Sequence, residues 1–142
     1  GVPGPQWVAP IAEALRRLGA ESAMVVHGCD GLDEITVTGP TTIARLIAGR
    51  VETAEVTPEI AGIRRHDATK IRGGEPFQNA EALRRLLAGE TGAYRDIVCL
   101  NAAGALLVAD AAADWPAGAA LAAAAIDDGR AAALLKRWSD FR

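Results

Sequence analysis

The amino-acid sequence predicts an α/β fold in which helices stack on a central sheet. Three observations support this prediction: an opening helical pattern, a group of β-like runs between residues 22 and 57, and helical patterns over most of residues 79–141. The chain has 142 residues, half of them apolar, which is enough for one core and too little for two ordinary domains. We therefore expect one architecture, with a sheet of about four strands.

The chain opens with a helix and a buried strand. Pro10 fits the first turn of a helix, and apolar residues recur at helical spacing until Gly19, which predicts a helix over residues 6–18. The run SAMVVHG is rich in β-branched residues and is bounded by polar residues and glycine, which predicts a buried strand.

Two further stretches carry strand signals. EITVTG alternates apolar and polar residues, which predicts a second strand with Thr36 and Thr38 on a solvated face. TIARLIAGRVETAEVTP predicts a hairpin that turns at Ala48 and Gly49, although propensity alone does not exclude a short helix over residues 42–48.

The periodicity disappears between Pro58 and Pro76 and then becomes helical. Glycines in this interval indicate a loop-rich crossing with one helical turn near Ala68. The stretch NAEALRRLLAGETG then predicts a helix with Asn79 as its N-cap and Gly89 just beyond its end.

The segment RDIVCLNAAGALLVADAAA is ambiguous, because DIVCL alone is typical of a strand. Its helical period and its length favour one buried helix, in which Gly104 marks a close helix contact. Two more helices are predicted over residues 116–127 and 131–141, and the second carries an apolar stripe of Leu134, Trp138 and Phe141.

The charge distribution argues against nucleic acid as a partner. Fifteen basic and eighteen acidic residues give a net charge of −3, and the arginine pairs are scattered along the chain, so we interpret them as solvated faces. The two cysteines form no CxxC motif, which fits a reducing cytoplasm. No apolar run reaches the roughly 18 residues of a membrane span, so we expect neither a signal peptide nor a membrane partner.

An acidic turn within HGCDGLDEI is the strongest candidate site. Asp30, Asp33 and Glu34 follow the apolar run directly. Adjacent carboxylates on a turn either face water or hold a cation, because unpaired burial costs too much. Mg²⁺ binds through one or two carboxylates and takes its other ligands from water and phosphates, a requirement that the Asp33 and Glu34 pair meets. A solvated turn would show the same pattern, so spacing alone leaves both interpretations open.

The familiar catalytic motifs do not occur in the sequence. It contains no phosphate-binding GxxxxGK[ST], no GxGxxG, no HExxH, no EF-hand spacing and no serine nucleophile elbow. We interpret Cys29 as incidental, because the neighbouring carboxylates disfavour a thiolate. The remaining candidates have structural interpretations: a small core residue for Cys99 and a hydrogen-bonding role for His27. His66 is interpreted as a solvated loop residue, with contact to an anion as the less favoured alternative.

Several stretches together resemble one family. VVHGCDGLDEITVTGPT, RGGEPFQNAEALRRLLAGETGAYRDIVCLNAAGALLVA and AAIDDGRAAALLKRW are similar, in order and spacing, to the C-terminal part of anthranilate phosphoribosyltransferase. The opening GVPGPQWVAPIAEALRRLGAE resembles the segment after that family's substrate-binding region. The resemblance covers nearly all of residues 1–142. It implies part of an α/β catalytic domain of the nucleoside phosphorylase and phosphoribosyltransferase type.

The resemblance also implies an activity. Members transfer a phosphoribosyl group from phosphoribosyl pyrophosphate (PRPP) to the amino group of anthranilate, release pyrophosphate and serve tryptophan biosynthesis, usually as homodimers. It implies Mg²⁺, with Asp33 and Glu34 at the positions of the metal-binding pair and Asp30 as a neighbour that increases the negative potential. The family's Gly-rich donor loop, its anthranilate-binding arginine and its N-terminal helical domain do not occur in these residues, so we expect the chain to be inactive alone.

Two other functions remain open at this stage. A relative on the same scaffold, such as a pyrimidine nucleoside phosphorylase, would carry a phosphate site and a base pocket in place of the donor loop. A non-catalytic binding or scaffolding domain would need no such pockets.

Overall fold

A computed structural model describes residues 1–141. Helices pack on both faces of a small antiparallel sheet, as the α/β prediction requires. The elements are α1 (Val8–Arg17), β1 (Ala23–Gly28), β2 (Thr41–Ile47), β3 (Arg50–Val56), α2 (Pro76–Leu87), α3 (Ala93–Val108), α4 (Trp115–Asp127) and α5 (Arg130–Ser139). The α/β prediction is therefore confirmed, with three strands among the described residues rather than four.

The sheet has the order β1-β2-β3 and lies between two apolar layers. Val25 and Ala44 are paired across β1 and β2 and pack on α1. Their neighbours Val26 and Ile43 point to the other face, where they join Leu100 of α3. Because side chains alternate along a strand, each face buries a different set of residues.

The elements expected in the first half of the chain are mostly present. A 3₁₀ turn (Pro5–Trp7) leads into α1, and the buried strand is β1. The hairpin prediction is confirmed: β2 and β3 meet at Ala48 and Gly49, which both have positive φ angles. A helical turn at Ala68–Lys70 also lies where one was expected.

The prediction that EITVTG forms a second strand is wrong. These residues lie outside the sheet, and their backbone groups bond to side chains or, at Val37, to the backbone N–H of His66 instead of to a neighbouring strand. The Ile35 N–H bonds to Asn101 and the Thr36 N–H to the Thr41 hydroxyl. Thr36 was expected on a solvated face but is completely buried. The alternation therefore reflects alternating local contacts and not strand pairing.

Helix α2 starts earlier than its sequence predicted. Pro76 occupies the first position, and Gln78 accepts a hydrogen bond of 2.9 Å from the Glu75 N–H, so the helix begins three residues before the expected N-cap. The prediction of Asn79 as N-cap is therefore wrong. Its amide bonds to the backbone of Gly74 instead.

The segment with the ambiguous DIVCL run is α3, which confirms the helical interpretation. It approaches α4 closely at Gly118, where an added Cβ would lie 2.9 Å from the Cα of Ala103. Gly104, expected at a close helix contact, lies mainly against the loop: a Cβ there would meet the Cδ1 of Ile35 at 2.7 Å. Small residues therefore allow α3 to approach both α4 and the segment after the acidic turn.

The last helix carries its apolar stripe on the surface. Leu134 and Trp138 are 61% and 75% exposed, so they add little to the core formed by the described residues. The helix ends at Ser139 rather than at the predicted residue 141, so Phe141, which is 85% exposed, lies beyond it. None of the helices found in residues 1–141 combines the length and apolar character needed to cross a membrane.

Candidate functional site

The acidic turn (residues 28–34) is closed by its own main chain. The Gly28 N–H donates to the Leu32 carbonyl at 2.8 Å, and the Gly31 N–H donates to the Gly28 carbonyl at 3.0 Å. Gly31 has a φ of +88°, a conformation that favours glycine over residues with a side chain. This tight turn places its carboxylates at the end of β1.

Asp30 anchors the turn through its hydrogen bonds. Its Oδ2 accepts hydrogen bonds from the hydroxyls of Thr36 (2.6 Å) and Thr38 (2.7 Å), while its Oδ1 accepts from the Leu32 N–H (3.3 Å). Partial burial acts to raise the pKa of this carboxyl, but the threonine hydroxyls and backbone donors outweigh it and hold the pKa below its usual value. Asp30 therefore serves the turn as an ionised hydrogen-bond acceptor.

Asn101, on α3, is hydrogen-bonded to Ile35, the residue that follows the turn. Its amide accepts from the Ile35 N–H at 2.8 Å and donates to the Ile35 carbonyl at 2.8 Å, with a further bond to the Ile97 carbonyl at 2.9 Å. Ile35 is buried, so no solvent would replace these partners. Asn101 was not singled out for this role from the sequence, because 66 residues separate it from Ile35.

The two remaining carboxylates of the turn, Asp33 and Glu34, are exposed. Within residues 1–141 neither makes a side-chain hydrogen bond or an ion pair, in contrast to Asp30. Two free carboxylates are suitable ligands for Mg²⁺, which accepts oxygen ligands and retains several waters. No cluster of three or more His, Cys, Asp or Glu side chains able to hold a metal occurs in the described part of the chain. The residues therefore fit a metal ion that takes further ligands from water or substrate.

The start of the chain packs beside the acidic turn. The Val2 N–H donates to the Val26 carbonyl at 3.1 Å, and the Nδ1 of His27 lies 2.9 Å from the Val2 carbonyl oxygen. A Cβ on Gly1 would overlap with the main chain of Asp33, so this residue lies directly against the turn. The hydrogen-bonding role expected for His27 is confirmed.

The prediction that His66 is a solvated loop residue is wrong. Its side chain is only 9% exposed, and its Nε2 lies 2.6 Å from the Oδ2 of Asp96 in the first turn of α3. Its backbone N–H also donates to the Val37 carbonyl at 2.9 Å. His66 therefore joins the loop after the sheet both to α3 and to the segment that follows the acidic turn.

The two cysteines are both free thiols. Cys99 is buried in α3, as expected for a small core residue, and this burial raises the pKa of its thiol. Cys29 is exposed beside the acidic turn.

Comparison with known proteins supports the resemblance. Anthranilate phosphoribosyltransferase of Parvibaculum lavamentivorans (strain DS-1) is 56% identical over 137 residues, which are 96% of this chain and 40% of that protein. Anthranilate phosphoribosyltransferase from Thermus thermophilus has a crystal structure that matches with a TM-score of 0.88 at 39% identity, over 97% of this chain and 40% of that chain. The resemblance is thus confirmed, and the chain spans about 40% of the length of its relatives.

A more distant structure agrees in fold. Anthranilate phosphoribosyltransferase from Saccharomyces cerevisiae, in complex with PRPP and Mg, matches with a TM-score of 0.87 at 24% identity, over 96% of this chain and 40% of that chain. At this identity the likeness concerns the fold alone. Residues 1–132 also match the family described as glycosyl transferase family, a/b domain. The chain, with its helices packed on a central sheet, therefore belongs to this glycosyl transferase family of α/β domains.

Proposed function

We propose that the chain is the C-terminal part of the α/β domain of an anthranilate phosphoribosyltransferase. The reaction is the Mg²⁺-dependent transfer of a phosphoribosyl group from PRPP to the amino group of anthranilate, with release of pyrophosphate. The observation that carries this proposal is the 56% identity with the Parvibaculum enzyme over almost the whole chain. The exposed carboxylate pair supplies the chemical support.

Asp33 and Glu34 are the proposed magnesium ligands. Both side chains are exposed and without protein partners in residues 1–141, so no protein contact has to break when they bind a cation. The bound metal would neutralise charge on the pyrophosphate group as its bond to the ribose breaks. A site with two protein carboxylates leaves the remaining positions for water and for phosphate oxygens, as Mg²⁺ requires.

The rest of the turn positions these two ligands. Before the pair in sequence, Asp30 is hydrogen-bonded to Thr36 and Thr38. After the pair, Ile35 is hydrogen-bonded to Asn101. The pair is therefore presented from a backbone fixed at both ends. Preorganisation of this kind reduces the entropy that metal binding would otherwise cost.

The donor loop and the anthranilate pocket are assigned to the remaining part of the enzyme, since the chain covers 40% of its relatives. We expect the 142 residues to be inactive alone, and the whole enzyme to act as a homodimer in the cytoplasm. Turnover of anthranilate by the isolated chain would contradict this division of roles.

A chimaeric enzyme tests the proposal. The chain replaces the matching 40% of the Parvibaculum enzyme, and formation of phosphoribosyl anthranilate is followed by loss of anthranilate fluorescence. We expect Mg²⁺-dependent activity, because the two proteins share most of the residues in this region. A folded chimaera that forms no product would overturn the proposal.

Substitution of the ligand pair then tests its role. Asp33→Asn combined with Glu34→Ala should lower kcat/KM for PRPP about a hundredfold, because a metal contact supplies several kcal/mol of charge stabilisation. The Kd of anthranilate should change little. A matched control, Glu52→Ala with Glu55→Ala on β3, removes two exposed carboxylates elsewhere and should leave both constants unchanged. Equal loss for PRPP and anthranilate would contradict the assigned role.

A further inference from the structure

A cavity of about 700 Å³ opens between residues 64–73, helix α2 and the start of α3. Its volume is in the range of small-molecule sites, about 300–1,000 Å³. Neither Asp33 nor Glu34 lines it. We name it the basic cavity, because five of the chain's fifteen lysines and arginines line it: Arg64, Lys70, Arg72, Arg85 and Arg95.

Carboxylates neutralise only part of this charge. The Nε of Arg85 lies 3.1 Å from the Oε2 of Glu90, and Arg95 makes two bonds of 2.7 Å to the carboxylate of Asp127. Among residues 1–141 the other three cations make no ion pair: Arg64, Lys70 and Arg72. The basic cavity therefore carries a local positive charge in a protein whose net charge is −3.

Helix α3 adds a second source of positive potential. It is 16 residues long, and its N-cap is Gly92, which has no side chain to accept hydrogen bonds from the first turn. Gly92 and Ala93 both line the basic cavity. The first N–H groups of a helix have no partner within the helix, and they carry the positive end of its dipole, so they attract anions.

The loop that carries the three unpaired cations is held in a defined shape. The amide of Asn79 bonds to both backbone groups of Gly74, at 2.8 and 2.9 Å, and the Nε2 of His66 is 2.6 Å from Asp96. Lys70 and Arg72 lie between these two attachments, and the third cation precedes His66 by two residues. Their backbone is thus fixed against α2 and α3 before any ligand binds.

We propose that the basic cavity binds a small multivalent anion of the phosphate class. Guanidinium groups match the oxygen geometry of phosphates through paired hydrogen bonds, and a lysine adds a point charge. A phosphate group at neutral pH carries up to two negative charges and three acceptor oxygens, which suits three unpaired cations and an uncapped helix start. The negative net charge of the chain argues against an extended nucleic acid, and the concave site favours a small ligand.

The test uses inorganic pyrophosphate as the probe. Binding to the 142-residue chain is measured by calorimetry without Mg²⁺ or anthranilate, so the result does not depend on the proposed reaction. Hydrogen–deuterium exchange locates the site. We expect slower exchange in peptides covering residues 64–74 and 91–96, with no change in the hairpin over residues 41–56. The same exchange measurement on the chimaera keeps the test decisive if the isolated chain does not fold.

Charge-neutralising variants identify the groups that bind. Arg64→Gln combined with Arg72→Gln should raise the Kd of pyrophosphate by at least about a hundredfold, roughly tenfold for each lost charge-assisted bond. Arg50→Gln combined with Arg137→Gln is the matched control, because both arginines are exposed, on β3 and α5, and lie outside the basic cavity. It should change the Kd less than about twofold.

Three results would overturn the proposal. One is the absence of pyrophosphate binding at millimolar concentration. Another is an equal loss of affinity in the control variant, which would indicate general attraction to a charged surface. The third is citrate binding as tightly as pyrophosphate, which would exclude a site built for phosphate.

Discussion

The acidic turn and the basic cavity share one hydrogen-bonding arrangement, which lies in two different environments. In each, an asparagine amide bonds to both backbone groups of a single loop residue: Asn101 to Ile35 beside the acidic turn, and Asn79 to Gly74 beside the basic cavity. Asn101 is partly buried, whereas Asn79 is exposed. The two loops bear opposite charges, and a backbone bond from His66 to Val37 connects them.

The two asparagines differ in whether water could take over their hydrogen bonds. Water can satisfy the backbone of Gly74 if Asn79 is lost, because that segment is exposed. No solvent reaches the N–H and carbonyl of Ile35, which is 4% exposed. A hydrogen bond contributes modestly when water competes for its groups, but a buried group without a partner is costly. The same contact is therefore a structural requirement at one loop and a minor stabiliser at the other.

The largest expected effect follows from this contrast. Asn101→Ala should lower the free energy of unfolding by about 3 kcal/mol, since it leaves two buried backbone groups of Ile35 without partners. Asn79→Ala should cost less than about 1 kcal/mol, because water replaces its bonds. Urea denaturation of both variants measures the difference. Equal losses would show that burial does not distinguish the two loops.

A smaller effect is expected at Asp30. Asp30→Ala should cost about 2 kcal/mol, because it removes an ionised acceptor from the buried hydroxyl of Thr36. Asp30→Asn retains an acceptor oxygen and should cost about half as much. Thermal denaturation at neutral pH compares the two. If Asp30→Asn were as destabilising as Asp30→Ala, the charge of Asp30 would matter more than its hydrogen bonds.

The smallest effect is a pH dependence. Because the pKa of Asp30 is lower in the folded chain than in the unfolded one, the folded state binds fewer protons. The contribution of Asp30 to the free energy of unfolding is complete above its unfolded-state pKa of about 4. It is lost as the pH falls through the lower pKa of the folded chain. Asp30→Asn should therefore weaken the fall in stability below about pH 4, as measured by urea denaturation across the acid range.

Glu13 provides a control, because its pKa is lowered by ion pairs with arginines and not by hydroxyl groups. Arg16 and Arg17 lower the pKa of Glu13 to about 2, but solvent screens these ion pairs on α1. Asp30, by contrast, accepts a hydrogen bond from the buried Thr36. Glu13→Gln should change the acid limb of the stability curve less than Asp30→Asn. A larger change for Glu13→Gln would contradict the role given to Asp30.

Local patterns predicted most of the elements. The period of Ile97 to Val108 identified α3, and the Ala48-Gly49 turn identified the hairpin, because periodicity and turn chemistry are local properties. EITVTG was misread because its alternation satisfied the pattern of a strand although no partner strand was available. The predicted start of α2 is too late because Pro76, which the sequence pattern places at the end of a loop, is the first helical residue.

The candidate site was predicted only in part. The exposed pair Asp33 and Glu34 is contiguous in sequence, so its composition was visible, and its metal-binding role stays a prediction. Asn101 and His66 act on partners 66 and 30 residues away, and no local pattern reports such contacts. The basic residues were interpreted as scattered along the chain, yet the fold gathers cations from the loop, α2 and α3 around one cavity.

The segment after the acidic turn has no ladder of strand pairs along which it could slide. A strand can shift by one residue and reverse the direction of all its side chains while most of its hydrogen bonds re-form. Ile35 and Thr36 are instead fixed by individual side chains, Asn101 and Thr41, each specific to one position. A shift of one residue would break every one of these bonds at once. The spacing between β1 and the exposed carboxylates is therefore set residue by residue, so an insertion there should be tolerated far less well than one in the β2–β3 hairpin.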